Sequence, residues 1–169
     1  INKYNNYSCA IVLQHRVDNN NKDINYIWPG LCYFDMDKIY NKSLLNWSLA
    51  NYTDTGGMMY RWLINQNNYK PFPSCIDIRN TNNIEKYHTD TIYYIKHLWS
   101  STWDISELPD KLKHKKDLVN LLISDNRNKN NKITCELYDD VFLHYRGGTG
   151  WSENVDDNII LELHKILNL

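Results

Sequence analysis

With 169 residues, 42% of them hydrophobic and 23% charged, the chain has the make-up of a soluble globular domain able to bury a real core. A formal net charge of −1 excludes nucleic-acid or membrane binding driven by bulk electrostatics. No apolar run approaches the ~20 residues of a membrane span, and the opening "INKYNNYSCA" lacks the build of a secretory leader, so the expected location is cytoplasmic.

In chain order, "SCAIVLQHR" (8–16) predicts a buried strand, a short apolar run that ends in charge. "YIWPG" predicts a turn at Pro29 and Gly30, and "LCYFDMDKI" (31–39) a second strand with acids at its end. "NKSLLNWSLANYTD" reads as a surface wrap. "TDTGGMMYRWLINQNNY" then opens a helix, with Thr53 or Asp54 as N-cap and Met58, Met59, Trp62 and Leu63 on one face. "PFPSCIDIR" reads as extended, and "TDTIYYIKHLWSSTWD" as a short strand or helix running into a loop. "LPDKLKHKKDLVNLLISDNR" predicts an amphipathic helix with Pro109 near its first turn. "ITCELYDDVFLHY" predicts one or two strands, and "NVDDNIILELHKILNL" a closing helix with Asp156 and Asp157 in its first turn. The alternation of strands and helices, with no repeat and no long linker, points to one α/β domain over 1–169, a mixed sheet with flanking helices.

Cys9, Cys32, Cys75 and Cys135 are too widely spaced for a CxxC pair and read as reduced, buried thiols. Sequons at Asn6, Asn41, Asn46 and Asn51 are expected by chance in so asparagine-rich a chain. Several of the 6 tryptophans lie beside Gly, Pro, Ser or Asp, as sugar-stacking platforms do, although core packing is the commoner fate of such a side chain.

Chemistry concentrates in three places. In "YTDTGGMMY", Asp54 stands where a helix N-terminus stabilises a carboxylate, and Gly56 and Gly57 would leave that helix start bare to a ligand, at a cost of about 1 kcal/mol each against Ala. The plainer account is an N-cap followed by two tolerated glycines. In "LCYFDMD", Asp35 and Asp37 are two residues apart, a spacing that strand alternation puts on one side, where they would hold a divalent cation with a diphosphate; the common outcome of such a pair is a polar strand end. In "VFLHYRGGTGW", His144 at a strand end is a candidate metal ligand. Gly147, Gly148 and Gly150, half of the 6 glycines, allow a tight loop whose amides face phosphate oxygens, and Arg146 offers a bidentate grip. A structural histidine followed by a turn is the plainer account.

Taken in order, "YIWPGLCYFDM", "YTDTGGMMYRWL" and "VFLHYRGGTGW" resemble the later half of GT-A-type glycosyltransferases, the nucleotide-diphospho-sugar transferase fold, over residues 8–151. The resemblance implies that Asp54 is the general base that deprotonates an acceptor hydroxyl. It implies that His144 is the late metal ligand, with Mn²⁺ or Mg²⁺ as the divalent cation. Trp28, Trp47 and Trp151, with Thr53, Gly56 and Gly57, would line the substrate pocket; Arg146, Gly147 and Gly148 would close over the diphosphate. The implied partners are a nucleotide sugar and a carbohydrate or glycosylated acceptor. Only some thirty residues precede Asp35, where the family has a nucleotide-binding half. Either "FDMD" is the metal motif of a shortened enzyme, or it is the acceptor-side strand and the chain is the C-terminal portion of a larger glycosyltransferase domain. The flanking "WPG" and "TDTGG" favour the second.

Rival readings are a non-catalytic carbohydrate-binding module that uses Trp28, Trp47, Trp99, Trp103 and Trp151, a hydrolase built on His15, His88 or His144, and a structural or interaction protein. The binding module predicts stacked indoles on one surface.

Overall fold

Cys9–Val17 forms strand β1, the middle strand of its sheet, and this is why its first half, Cys9 to Leu13, can be an unbroken apolar run. β2 (Asp23–Phe34) lies antiparallel on one side and β3 (Ile92–Tyr94) parallel on the other. Over these five residues both faces of β1 are buried: Cys9, Ile11 and Leu13 point into a core with Ile27, Met59, Trp62 and Leu63, while Ala10 and Val12 are sealed on the opposite face. On that second face Tyr33, Ala10 and Tyr93 lie in register across the three strands, and Tyr4 packs its ring against both tyrosines. These coordinates come from a computed structural model, which describes residues 2–17, 19–21, 23–66, 84–145 and 157–167.

β2 absorbs the turn expected at "WPG". Ile11 pairs with Cys32 but Val12 pairs with Trp28, so Pro29, Gly30 and Leu31 form a bulge inside one long strand. A proline has no N–H to give the ladder, and a bulge is where a strand tolerates it. The helix expected from residue 53 starts later. Gly56, at φ +91°, precedes a 3₁₀ turn at Gly57–Met59, which runs into helix α1 (Tyr60–Ile64). Of the predicted apolar face, Met59, Trp62 and Leu63 are fully buried and Met58 is half-buried, and the Trp62 indole donates to the Tyr40 carbonyl at 2.9 Å.

Although the sequence offers no linker, residues group into two compact units, Ile1–Lys96 and His97–Leu169, each with its own core. The second unit holds an antiparallel sheet, β4 (His97–Leu98), β5 (Glu136–Tyr138) and β6 (Phe142–His144). The predicted amphipathic helix is split into α2 (Asp110–Lys113), with Pro109 as its N-cap, and α3 (Lys116–Ser124). α4 (Asp157–Leu167) follows, with Asp157 in its first turn; Asp156 lies outside the described residues. Leu98, Trp103, Leu118, Leu122, Leu137, Ile159 and Leu163 make the core, and the Trp103 indole donates to the Cys135 carbonyl at 2.7 Å. The fold is thus mixed α/β with two small sheets, and among the described residues no helix is long and apolar enough to cross a membrane.

Candidate functional site

Asp54 sits in the irregular segment that leads from Trp47 to Gly56, and this segment is fastened at several points. Thr53 N–H donates to the Ala50 carbonyl, Gly56 N–H to the Trp47 carbonyl and Met58 N–H to the Ser48 carbonyl. The Thr53 hydroxyl accepts the Ala50 N–H at 2.9 Å. None of these bonds uses the Asp54 side chain, so neither Asp54 nor Thr53 is the helix N-cap that the sequence suggested; the N-cap residue is Gly56 and no side chain caps it.

The Asp54 carboxylate turns instead toward the sheet. Arg16 at the end of β1 reaches Oδ2 at 2.9 Å, and the Tyr26 hydroxyl on β2 donates to the same oxygen at 3.2 Å. The side chain stays 51% exposed. Burial pushes the Tyr26 phenol up to about 12; Arg16 acts against that rise, and the Asp54 charge adds to it. Among the described residues both contacts fall on Oδ2, which leaves Oδ1 with its lone pairs unused.

The two glycines have a packing reason. A Cβ on Gly56 would stand 2.3 Å from the Ile27 carbonyl oxygen, and one on Gly57 would stand 1.9 Å from the Thr53 hydroxyl. Both are buried, and the space their missing side chains leave is taken by the protein itself rather than held open for an acceptor. Trp47 packs edge-on against Phe34 at 5.7 Å beside the first core, and Trp28 is half-buried on β2.

Asp35 and Asp37 do not share a strand face. β2 ends at Phe34, and both acids belong to the turn that follows. One Asp35 oxygen accepts the Asp37 N–H at 3.1 Å and the other pairs with Lys38 at 2.9 Å. The Lys38 hydrogen bond leads the effects that hold the Asp35 carboxyl below its usual range. This closed local turn does not fit the metal role that their spacing suggested.

In the second unit His144 stands at the end of β6, directly across from Glu136 on β5. Two left-handed residues, Asp139 (φ 50°) and Asp140 (φ 60°), close the turn between the strands and set this register. The neighbouring pair is His97 with Tyr138 across β4 and β5, their rings stacked 4.4 Å apart and 8° from parallel. Alternation sorts the sheet into two faces. Leu98, Leu137 and Leu143 lie in one row, the first two buried in the second core and Leu143 packed against it; His97, Tyr138, Phe142, Glu136 and His144 lie on the other face.

Glu136 is the hub of that polar face. Its Oε2 accepts from the Tyr138 hydroxyl at 2.6 Å, lies 3.0 Å from His144 Nδ1 and lies 3.6 Å from His97 Nε2. Burial alone would raise its pKa; the hydrogen bonds from His144 and Tyr138, with the His97 imidazole close by, outweigh that and hold it well below the ordinary carboxylate range. The Glu136 side chain is 4% exposed and that of His144 46%. A buried acid thus holds an accessible imidazole. The sequence reading found His144 and missed Glu136, His97 and Tyr138.

Arg146, Gly147, Gly148, Gly150, Trp151 and Cys75 lie outside the described residues. Cys9, Cys32 and Cys135 are free thiols, two of them buried. Trp103 is fully buried in the second core, where no sugar can stack on it, and this removes one platform from the carbohydrate-binding alternative. Among the described residues no three His, Cys, Asp or Glu side chains gather as a metal site requires. The chain matches no family, no curated protein and no solved structure with which it was compared.

Proposed function

We propose that the chain is the acceptor-side portion of a glycosyltransferase that moves a sugar from a nucleotide-sugar donor to an acceptor hydroxyl, with Asp54 as general base. The observation that supports this is the Asp54 carboxylate, fastened through Oδ2 by Arg16 and Tyr26 while half-exposed. An acid that only balanced a surface charge would not need a buried phenol to orient it. A general base must be both held and reachable.

In the proposed step Oδ1 takes the proton of the acceptor hydroxyl. The acceptor oxygen forms its bond to the anomeric carbon as the bond from that carbon to the diphosphate breaks, and the electron pair leaves with the diphosphate. Such a base belongs to an inverting transfer; a retaining enzyme does not require it. Arg146, Gly147 and Gly148 would grip the diphosphate. A divalent cation, Mn²⁺ or Mg²⁺, would neutralise the leaving group when bound. His144 fits as one of its ligands, because an imidazole engaged through Nδ1 keeps Nε2 for a metal. Asp35 and Asp37 are not proposed as ligands.

The test is turnover of nucleotide-sugar donors by the full protein with Mn²⁺ or Mg²⁺, comparing the parent with Asp54→Asn and His144→Ala. Loss of roughly 10²–10⁴-fold in the Asp54 variant is expected. Equal turnover in all three proteins would reject both roles, and a parent inert toward every donor would reject the reaction.

A further inference from the structure

We propose that Glu136 is a positioning residue for His144: facing it across β5 and β6 at 3.0 Å, the buried carboxylate fixes the imidazole as its Nδ1–H tautomer and turns Nε2 outward with its lone pair available. This deepens the role given to His144 above and rests on that role for its purpose, but the geometry stands by itself. A carboxylate only accepts hydrogen bonds, so the ring nitrogen that faces it must carry the proton. Nε2 lies across the ring from Nδ1 and therefore points away from Glu136. An imidazole in water favours the opposite tautomer, with the proton on Nε2, so the pairing imposes a state the side chain would not otherwise choose.

The carboxylate has two further neighbours. Tyr138, two residues along β5, donates to the same oxygen at 2.6 Å, and His97 flanks it at 3.6 Å. The Tyr138 ring is in turn stacked on His97. Side-chain rotation of Glu136 would break the bonds to Tyr138 and His144 together. His144 is thereby presented as a preoriented ligand or proton acceptor, as metal-bound histidines are when a carboxylate holds their second nitrogen.

The experiment reads the tautomer directly. The full chain is labelled with ¹⁵N-histidine and its ring nitrogens are recorded at about pH 8.5, where an ordinary imidazole is neutral; His144→Gln identifies the resonances. The parent is expected to show His144 with a proton on Nδ1 and a bare Nε2. In Glu136→Gln the amide can turn either its oxygen or its NH₂ to the ring, and a several-fold rise in the Nε2–H form is expected. Tyr138→Phe removes a different donor from the same oxygen and is expected to leave the tautomer as in the parent.

A parent with its proton on Nε2 overturns the proposal even if no variant folds. A Glu136→Gln spectrum like the parent's does the same, as does a Tyr138→Phe spectrum as scrambled as that of Glu136→Gln. If the tautomer behaves as expected while donor turnover is absent, the positioning stands and glycosyl transfer falls.

Discussion

Glu136 and His144 occupy directly opposed positions on β5 and β6, and the buried member of the pair holds the accessible one at 3.0 Å. Because the acid is ionised against the pull of burial, the pair has a pH signature. The folded-state pKa of Glu136 is depressed, so its contribution to stability is complete above the ordinary glutamate pKa of about 4.3 and is lost as pH falls through the folded value. Glu136→Gln is expected to destabilise the chain by about 2 kcal/mol at neutral pH, with the gap narrowing below about pH 4. Denaturant titrations at neutral and acid pH check this; a gap that does not depend on pH would contradict it.

Tyr26 works with the opposite sign. Its phenol is raised to about 12 in the fold, while an unfolded tyrosine ionises near ~10. Stability is therefore lost as pH climbs between those values, because only the unfolded chain sheds the proton there. Tyr26→Phe is expected to lose less stability than the parent between about pH 10 and 12. Arg16→Gln should raise the phenol further and Asp54→Asn should lower it, since Arg16 depresses the value and Asp54 elevates it. ¹³C-tyrosine NMR titration of the three proteins measures the order.

Gly56→Ala is expected to be among the most damaging small substitutions in the first unit. It would force an L-residue to φ +91° and push a methyl to 2.3 Å from the Ile27 carbonyl oxygen. Left-handed backbone strain of roughly 1–2 kcal/mol and overpacking of about 1–3 kcal/mol together predict a loss of about 2–5 kcal/mol. Equilibrium unfolding measures it, and a loss below about 1 kcal/mol would mean that the segment around Asp54 is not seated on β2 as described.

Thiol chemistry separates the cysteines. Cys9 and Cys135 are buried, and burial pushes the Cys135 thiol up to about 12 and raises Cys9 as well. Cys32 is half-buried and also raised, so all three should react slowly in the native state, with Cys32 first. Timed alkylation followed by peptide mass mapping gives the order. Early labelling of Cys135 would contradict the packing around Trp103.

Much of the fold was legible because short runs and stripes of apolar residues imposed it. The apolar run of β1, the Met59–Trp62–Leu63 stripe and the pattern of α4 each carry their period openly. Pro29 and Gly30 misled: the same residues suit a turn or a bulge, and pairing across β1 decides between them. In the sequence Asp54 reads as an acid held by a helix start, which it is not; its actual partners Arg16 and Tyr26 are 38 and 28 residues away and leave no local signal. Glu136 was hidden for a related reason. In "CELYDDVFLHY" it looks like a stray charge until Asp139 and Asp140 are taken as a hairpin turn, and then it falls opposite His144. Left-handed aspartates are a usable signal for that turn.

The second sheet separates its side chains into a leucine row and a row of His97, Tyr138, Phe142, Glu136 and His144, and this leaves the strands little freedom of alignment. Sliding β6 by one position along β5 would carry Leu143 to the face that holds Glu136 and swing His144 toward the core, leaving Glu136 without its imidazole. Mispairing is thereby penalised on both surfaces at once.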